Sequence, residues 1–176
     1  QSPRALVFSC CDSRVDPALI TEADPGDLFL VRNVANLVPP YEPAKGLQGA
    51  SAALEFAVLH LKVEHVIVMG HSGCGGVKAL IDVEVLGKSD GSFIPRWMSI
   101  AREACTGVTL DAEGKISPET AREVEQRSVQ VSLEHLTSYP CVRDGVDAGT
   151  LELHGWWFHI GEGKIHIFDP ESGSFQ

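Results

Sequence analysis

The stretch "EHVIVMGHSGCGGVKALIDVEVL", residues 64–86, decides the fold. Residues 64–72 form a short apolar run rich in β-branched side chains, which reads as a buried strand. The run enters a glycine-rich turn, "GHSGCGG", and apolar residues then recur at helical spacing through "VKALIDVEVL". Strand, tight glycine turn and helix make up one half of a βαβ unit, so the neighbouring segments must supply the rest.

They do. "RALVFS" (4–9) reads as a second buried strand, and "DLFLVRN" (27–33) as a third after the turn signal "DPGD". Residues 45–62 carry Leu47, Ala50, Leu54, Ala57, Val58 and Leu61 on one helical face. A helix is expected over 92–105, and loop over 106–117. Ser117–Pro118 then makes an N-cap and first turn for a helix running to Pro140. At the end, "TLELHGWWFHI" and "KIHIFDP" flank "GEG" as a hairpin with a three-residue loop. The expectation is an α/β fold: a mostly parallel central sheet flanked by helices, with a C-terminal antiparallel edge strand, in a single domain over 1–176. Because a strand follows Gln1 so closely, an N-terminal segment is expected to precede it.

Composition narrows the function classes. The 176 residues carry a formal net charge of −10 and 44% apolar residues. Nucleic acid and anionic membrane are poor partners for such a chain, since both need a basic face. The longest apolar runs are too short to cross a bilayer. Five cysteines, two of them adjacent, do not make a disulfide framework. A reducing, cytoplasmic setting is expected, with organelle targeting left open by the start of the chain.

Chemistry collects at the carboxyl ends of parallel strands, where "CCDSRV" (10–15) and "HSGC" (71–74) both fall. His71 and Cys74 sit two residues apart in a tight turn, where an imidazole and a thiolate can reach one metal ion. Taken alone, that pair has an ordinary structural reading. Cys10 at the tip of another strand adds a third ligand, and Cys, His and Cys are donors that zinc accepts. Three protein ligands is the count of a catalytic site rather than a closed structural one. Cys11 should point to the opposite face and pack behind the strand as a small apolar residue. Cys105 and Cys141 lie in helical context, away from metal. Asp12 shares the parity of Cys10, and Arg14 is placed to hold its carboxylate by a forked pair of hydrogen bonds.

Together "CCDSRV" and "GHSGCGGV" resemble the C-x-D-S-R and H-x-x-C signatures of β-class carbonic anhydrases. The resemblance continues through "GDLFLVRNVANLVPP" and "AALEFAVLHLKVEHVIVMGHSGCGGV" and covers nearly the whole chain. It implies a zinc lyase holding one Zn2+ per subunit on Cys10, His71 and Cys74, with Asp12 and Arg14 as the catalytic dyad. The implied reaction is hydration of carbon dioxide to bicarbonate and a proton by a zinc-bound hydroxide. Two thiolates on the metal lead us to expect activity rising toward alkaline pH.

The resemblance also implies that Gln1, Phe29, Val34 and Phe56 line a substrate cleft, Phe29 and Val34 across a dimer interface. Backbone N–H groups around Gly75 would steady charge on the substrate. Phe56 stands where relatives often carry tyrosine. Val7 and Ser9 replace the Trp and Gly of bicarbonate-regulated members, which favours a permanently open site. A homodimer or dimer of dimers is implied, with a helical arm before Gln1. The other histidines, His60, His65, His135, His154, His159 and His166, read as core or surface residues. Two rival readings remain: a carbonyl sulfide or carbon disulfide hydrolase on the same scaffold, and a non-catalytic zinc or thiol-sensor protein.

Overall fold

Every residue of β1 (Ala5–Cys10) is buried, the mark of a strand covered on both faces of a parallel sheet. Leu6 and Phe8 pack with Leu54, Val129, Leu136 and Val142 on one side. Ala5 and Val7 pack with Val15, Ile67 and Met69 on the other. The computed structural model describes residues 1–46, 48–88 and 91–176, leaving out the side chain of Lys45.

β1 lies between β2 (Leu28–Asn33) and β3 (His65–His71), parallel to both. β4 (Glu152–His159) extends the parallel part beside β3. β5 (Lys164–Asp169) and β6 (Ser174–Phe175) then add two antiparallel strands. The spatial order is β2-β1-β3-β4-β5-β6. The chain therefore leaves β1 to one side and returns to the other, which opens a crevice at the carboxyl ends of β1 and β3.

The helices follow local signals. α1 (Pro17–Thr21), which the sequence reading did not anticipate, is capped by Asp16, whose side chain accepts from the N–H groups of Ala18 and Leu19. α2 (Gly49–Phe56) continues through a wider turn, Ala57–Leu61. Leu54 and Ala57 are buried, and Ala50, Val58 and Leu61 pack beside them, as their spacing predicts; Leu47 lies outside the described residues. α3 (Gly75–Glu84) starts one residue after Cys74. The helix expected over 92–105 is instead a short α4 (Ile94–Met98) followed by a 3-10 segment, Ser99–Cys105, broken at Ala101.

α5 (Pro118–Thr137) is the long helix, with the Ser117 hydroxyl accepting from the Thr120 N–H at 3.1 Å. Pro140 does not end the helical region but opens α6 (Pro140–Asp147), since proline suits a first helical position. The final hairpin turns through 160–163, four residues rather than three, because its ladder closes at His159↔Lys164.

α5 lies close on the sheet because two strand positions lack a side chain. A Cβ at Gly70 would come within 2.7 Å of Val129, and one at Gly155 within 2.9 Å of Leu133. That close approach brings the middle of α5 to the crevice.

Candidate metal centre

Ser9 of β1 pairs with Met69 of β3, so the two strand tips carrying Cys10 and His71 end side by side. After β3 the backbone turns through Gly73, at a φ of 68° that favours glycine, and delivers Cys74 to the start of α3. The two sulfurs stand 3.9 Å apart. The ligating atoms of Cys10, His71 and Cys74 all lie within 4.8 Å of one another, and all three residues are buried.

The donor chemistry fits zinc. His71 Nδ1 is 3.0 Å from the Ser72 carbonyl oxygen, so that nitrogen carries the proton and donates. Its Nε2 is left with a lone pair, buried and without a hydrogen-bond partner. A buried polar atom with no partner is costly unless something else satisfies it. An imidazole lone pair beside two thiols is a mixed nitrogen–sulfur set that suits Zn2+.

The two thiols titrate as a pair. A hydrogen bond from Cys74 lowers Cys10 to about 4, against the opposing effect of burial. Sharing that proton and burial push Cys74 far upward. One sulfur thus ionises easily, and the second does so only when positive charge is at hand. Burial works against charge on His71, but the nearby Cys10 sulfur, the Ser72 carbonyl and the charge of Asp12 hold its pKa above the ordinary value.

Asp12 and Arg14 form the expected fork. Arg14 Nε donates to Oδ1 at 2.9 Å and Nη2 to Oδ2 at 2.7 Å, and the Arg14 backbone N–H adds a bond of 2.9 Å to Oδ1. The Arg14 side chain first, and then its backbone, hold the Asp12 carboxyl well below the usual carboxylate range. Asp12 is therefore ionised, a pure acceptor, with Oδ2 3.9 Å from His71 Nε2. Arg32 braces the same turn from β2, donating to the carbonyls of Cys10 (3.0 Å), Asp12 (2.8 Å) and Val15 (2.8 Å).

Glu125, on α5, was not foreseen. It is 6% exposed. Its Oε1 accepts from the backbone N–H groups of Gly73 (2.7 Å) and Cys74 (3.2 Å), and its Oε2 from the Trp157 indole at 3.2 Å. Burial raises its pKa, opposed by those donors. A signal was present: Glu125 falls on the helical face marked by Val124, Ser128, Val131 and Ser132, where an acid should not sit without partners.

The remaining site candidates divide into two groups. Gly75 opens α3, and an added Cβ there meets nothing within 4 Å, so the surface is open at that point. Val34 packs against the cluster that contains Cys10 and Cys74, and its carbonyl accepts the Trp97 indole N–H at 2.8 Å. Phe29, in contrast, is level with Leu6, whereas Asn33 is level with Cys10. Four residues of strand separate the two levels by about 13 Å. Phe29 stacks on Phe56 at 6.0 Å, and Phe56 is exposed. Gln1 is exposed and precedes the opposite end of β1. These three do not gather around this chain's own ligands.

Cys11 corrects the sequence reading: it is exposed rather than packed behind the sheet. β1 ends at Cys10, so the alternation that sends Cys11 to the far face carries it past the layer that covers the strand. Cys105 and Cys141 are partly buried and stand outside the metal-ligating group.

Comparison with known proteins agrees with this geometry. The family model described as carbonic anhydrase matches residues 5–165. "Beta carbonic anhydrase 5, chloroplastic" of Arabidopsis thaliana is 42% identical over 160 residues, 91% of this chain and 52% of that protein. The chain thus spans about half the length of that relative. The solved β-carbonic anhydrase CcaA superimposes with a TM-score of 0.84 at 32% identity, covering 99% of this chain and 84% of that one. A structure from work on two tetrameric β-carbonic anhydrases of the filamentous ascomycete Sordaria macrospora gives 0.78 at 29% identity, over 100% of this chain and 83% of that one. Family model, sequence relative and structural neighbours converge, and the chain belongs to the β-carbonic anhydrases.

Proposed function

We propose that the chain catalyses the reversible reaction of carbon dioxide with water to give bicarbonate and a proton, using one Zn2+ held by Cys10, His71 and Cys74. The observation that carries this reading is the ionised, Arg14-clamped Asp12 beside a buried Cys-His-Cys donor set. A purely structural zinc site has no use for an oriented acceptor. Zinc supplies the Lewis acidity that makes water a nucleophile near neutral pH.

The chain's own residues do the rest. Asp12 accepts the hydrogen bond of the attacking oxygen's O–H and so turns its lone pair toward the carbon. Arg14 engages both oxygens of Asp12 and so keeps it an acceptor rather than a fourth ligand, which fits a permanently open site. Electrons displaced from a C=O bond gather on oxygen, where the Gly75 N–H at the start of α3 stabilises them. The proton leaves to solvent.

Val34 supplies an apolar wall beside the ligand turn, suited to a nonpolar gas. Phe29, Phe56 and Gln1 are read as serving the cleft of a second copy, in a homodimer or dimer of dimers. Exposure of Phe56 and Leu59 supports such a face. No helix among the described residues is long and apolar enough to cross a membrane. The five free thiols support a reducing compartment, cytoplasm or plastid.

Zinc stoichiometry paired with stopped-flow carbon dioxide hydration tests the reading. One zinc per chain with rapid hydration is expected. One zinc with turnover of carbon disulfide but not carbon dioxide would replace the substrate, and one zinc with neither would leave a non-catalytic protein.

A further inference from the structure

A second group of metal-ligating side chains stands at the opposite end of the sheet. His65 opens β3, and Glu152 and His154 lie at the start of β4. The parallel register sets His65 level with Glu152 and Ile67 level with His154. The three side chains therefore emerge on one face. His65 Nδ1 and His154 Nε2 are 3.1 Å apart. The Glu152 carboxylate oxygen is 3.8 Å from the first and 3.7 Å from the second.

We propose that His65, Glu152 and His154 form a second site for a divalent transition cation of the zinc class, distinct from the Cys10–His71–Cys74 centre. β3 carries both, and the six-residue step from His65 to His71 separates them by about 20 Å.

The geometry is close to what a metal needs. Two zinc–nitrogen bonds of about 2.0–2.1 Å at a tetrahedral angle place their nitrogens about 3.3 Å apart, a few tenths of an ångström from the spacing here. The carboxylate, on an exposed and flexible side chain, closes the remaining gap. Imidazole with carboxylate selects zinc, nickel or copper over calcium and magnesium. Solvent completes the coordination, since both rings are about one-third exposed.

Charge points the same way. Among the described residues, Glu152 has no lysine or arginine partner; its ion-pair contacts are the two histidines. Burial, and then the neighbouring His65, hold His154 below the ordinary imidazole value, so its ring is neutral near pH 7. The carboxylate thus faces a neutral His154 ring and, among the described residues, no lysine or arginine. Without a cation, the two facing nitrogens share one proton as N–H···N. When a cation binds, that ring's proton moves to its outer nitrogen and both inner lone pairs become ligands. Such an ion would clip β3 to β4 at the amino end of the sheet.

The test uses the full chain loaded with one zinc and freed of excess. Titration with zinc chloride in a calorimeter should show one further equivalent, and added zinc should raise the thermal midpoint. His154→Ala and His65→Ala should each lose that equivalent and that rise while keeping the first zinc. If an alanine variant loses the first zinc too, the glutamine replacement at the same position decides. A wild-type chain that takes no second equivalent overturns the proposal, and so does a second equivalent retained in the histidine variants.

Discussion

Oε1 of Glu125 accepts the backbone N–H of Cys74 at 3.2 Å, so a buried carboxylate on α5 fixes the backbone of a proposed metal ligand 51 residues earlier in the chain. The same oxygen holds Gly73, and its partner oxygen holds Trp157. The turn between β3 and α3 is thereby pinned from the layer above it. Partners of this kind orient ligands without touching the metal.

Glu125→Ala should therefore weaken zinc retention by about 10–100-fold, the range seen when such outer partners are removed. It should also cost roughly 1–3 kcal/mol of stability for donors left buried without an acceptor. Zinc competition with a chelator and urea unfolding measure the two effects. Unchanged zinc affinity would reduce Glu125 to a core residue.

Asp12→Asn should retain one zinc per chain and lose most carbon dioxide turnover, because an amide can turn its N–H₂ toward the nucleophile and no longer attracts Arg14 as an anion. Cys74→Ala should lose the metal itself. Metal analysis beside a hydration assay separates the two roles, and equal zinc loss in both variants would merge them.

Acid should expose the Asp12–Arg14 pair. The Asp12 carboxyl lies lower in the folded chain than the value of about 3.9 in an unfolded one. The unfolded chain therefore binds more protons between those values. The pair's contribution is complete above the unfolded pKa and is lost as pH falls through the folded one. The stability difference between the wild type and Asp12→Asn should shrink steadily below about pH 4. Glu125 has the opposite sign: burial raises it, so its contribution is complete below the unfolded value and declines as pH rises through the folded one. Unfolding curves across acid pH should show the two differences moving in opposite directions.

Glycines 70 and 75 should respond differently to alanine. At Gly70 the new methyl would lie 2.7 Å from Val129, so α5 must move, at a cost of about 1–3 kcal/mol. At Gly75 it meets nothing, and stability should change by less than about 0.5 kcal/mol. Any loss of turnover in Gly75→Ala would then report on the substrate side of the cleft, since thermal unfolding would show the fold intact.

Much of the centre was legible from residue spacing. Cys10, Asp12 and Arg14 lie within five positions, and backbone geometry alone brings the Arg14 guanidinium onto the Asp12 carboxylate. His71 and Cys74 meet because a tight turn joins them. The strands were equally plain: their apolar runs match β1, β2 and β3. Reading was weaker where a boundary depends on what covers it. Cys11 is exposed because the covering layer stops before it, and Pro140 opens a helix where an ending was expected.

What the sequence by itself determined is the set of local units: which runs are strands, where they end, and which donors each end presents. Neighbouring residues settle such units through backbone dihedrals and side-chain periodicity. Only the tertiary structure decided that β3 lies between β1 and β4, and therefore that Cys10 meets His71 and that His65 meets His154. It also decided that α5 sits low enough over Gly70 to reach the ligand turn with Glu125. These contacts join residues from 51 to 89 positions apart, or rest on strand order, and strand order and helix depth follow from packing the whole chain at once.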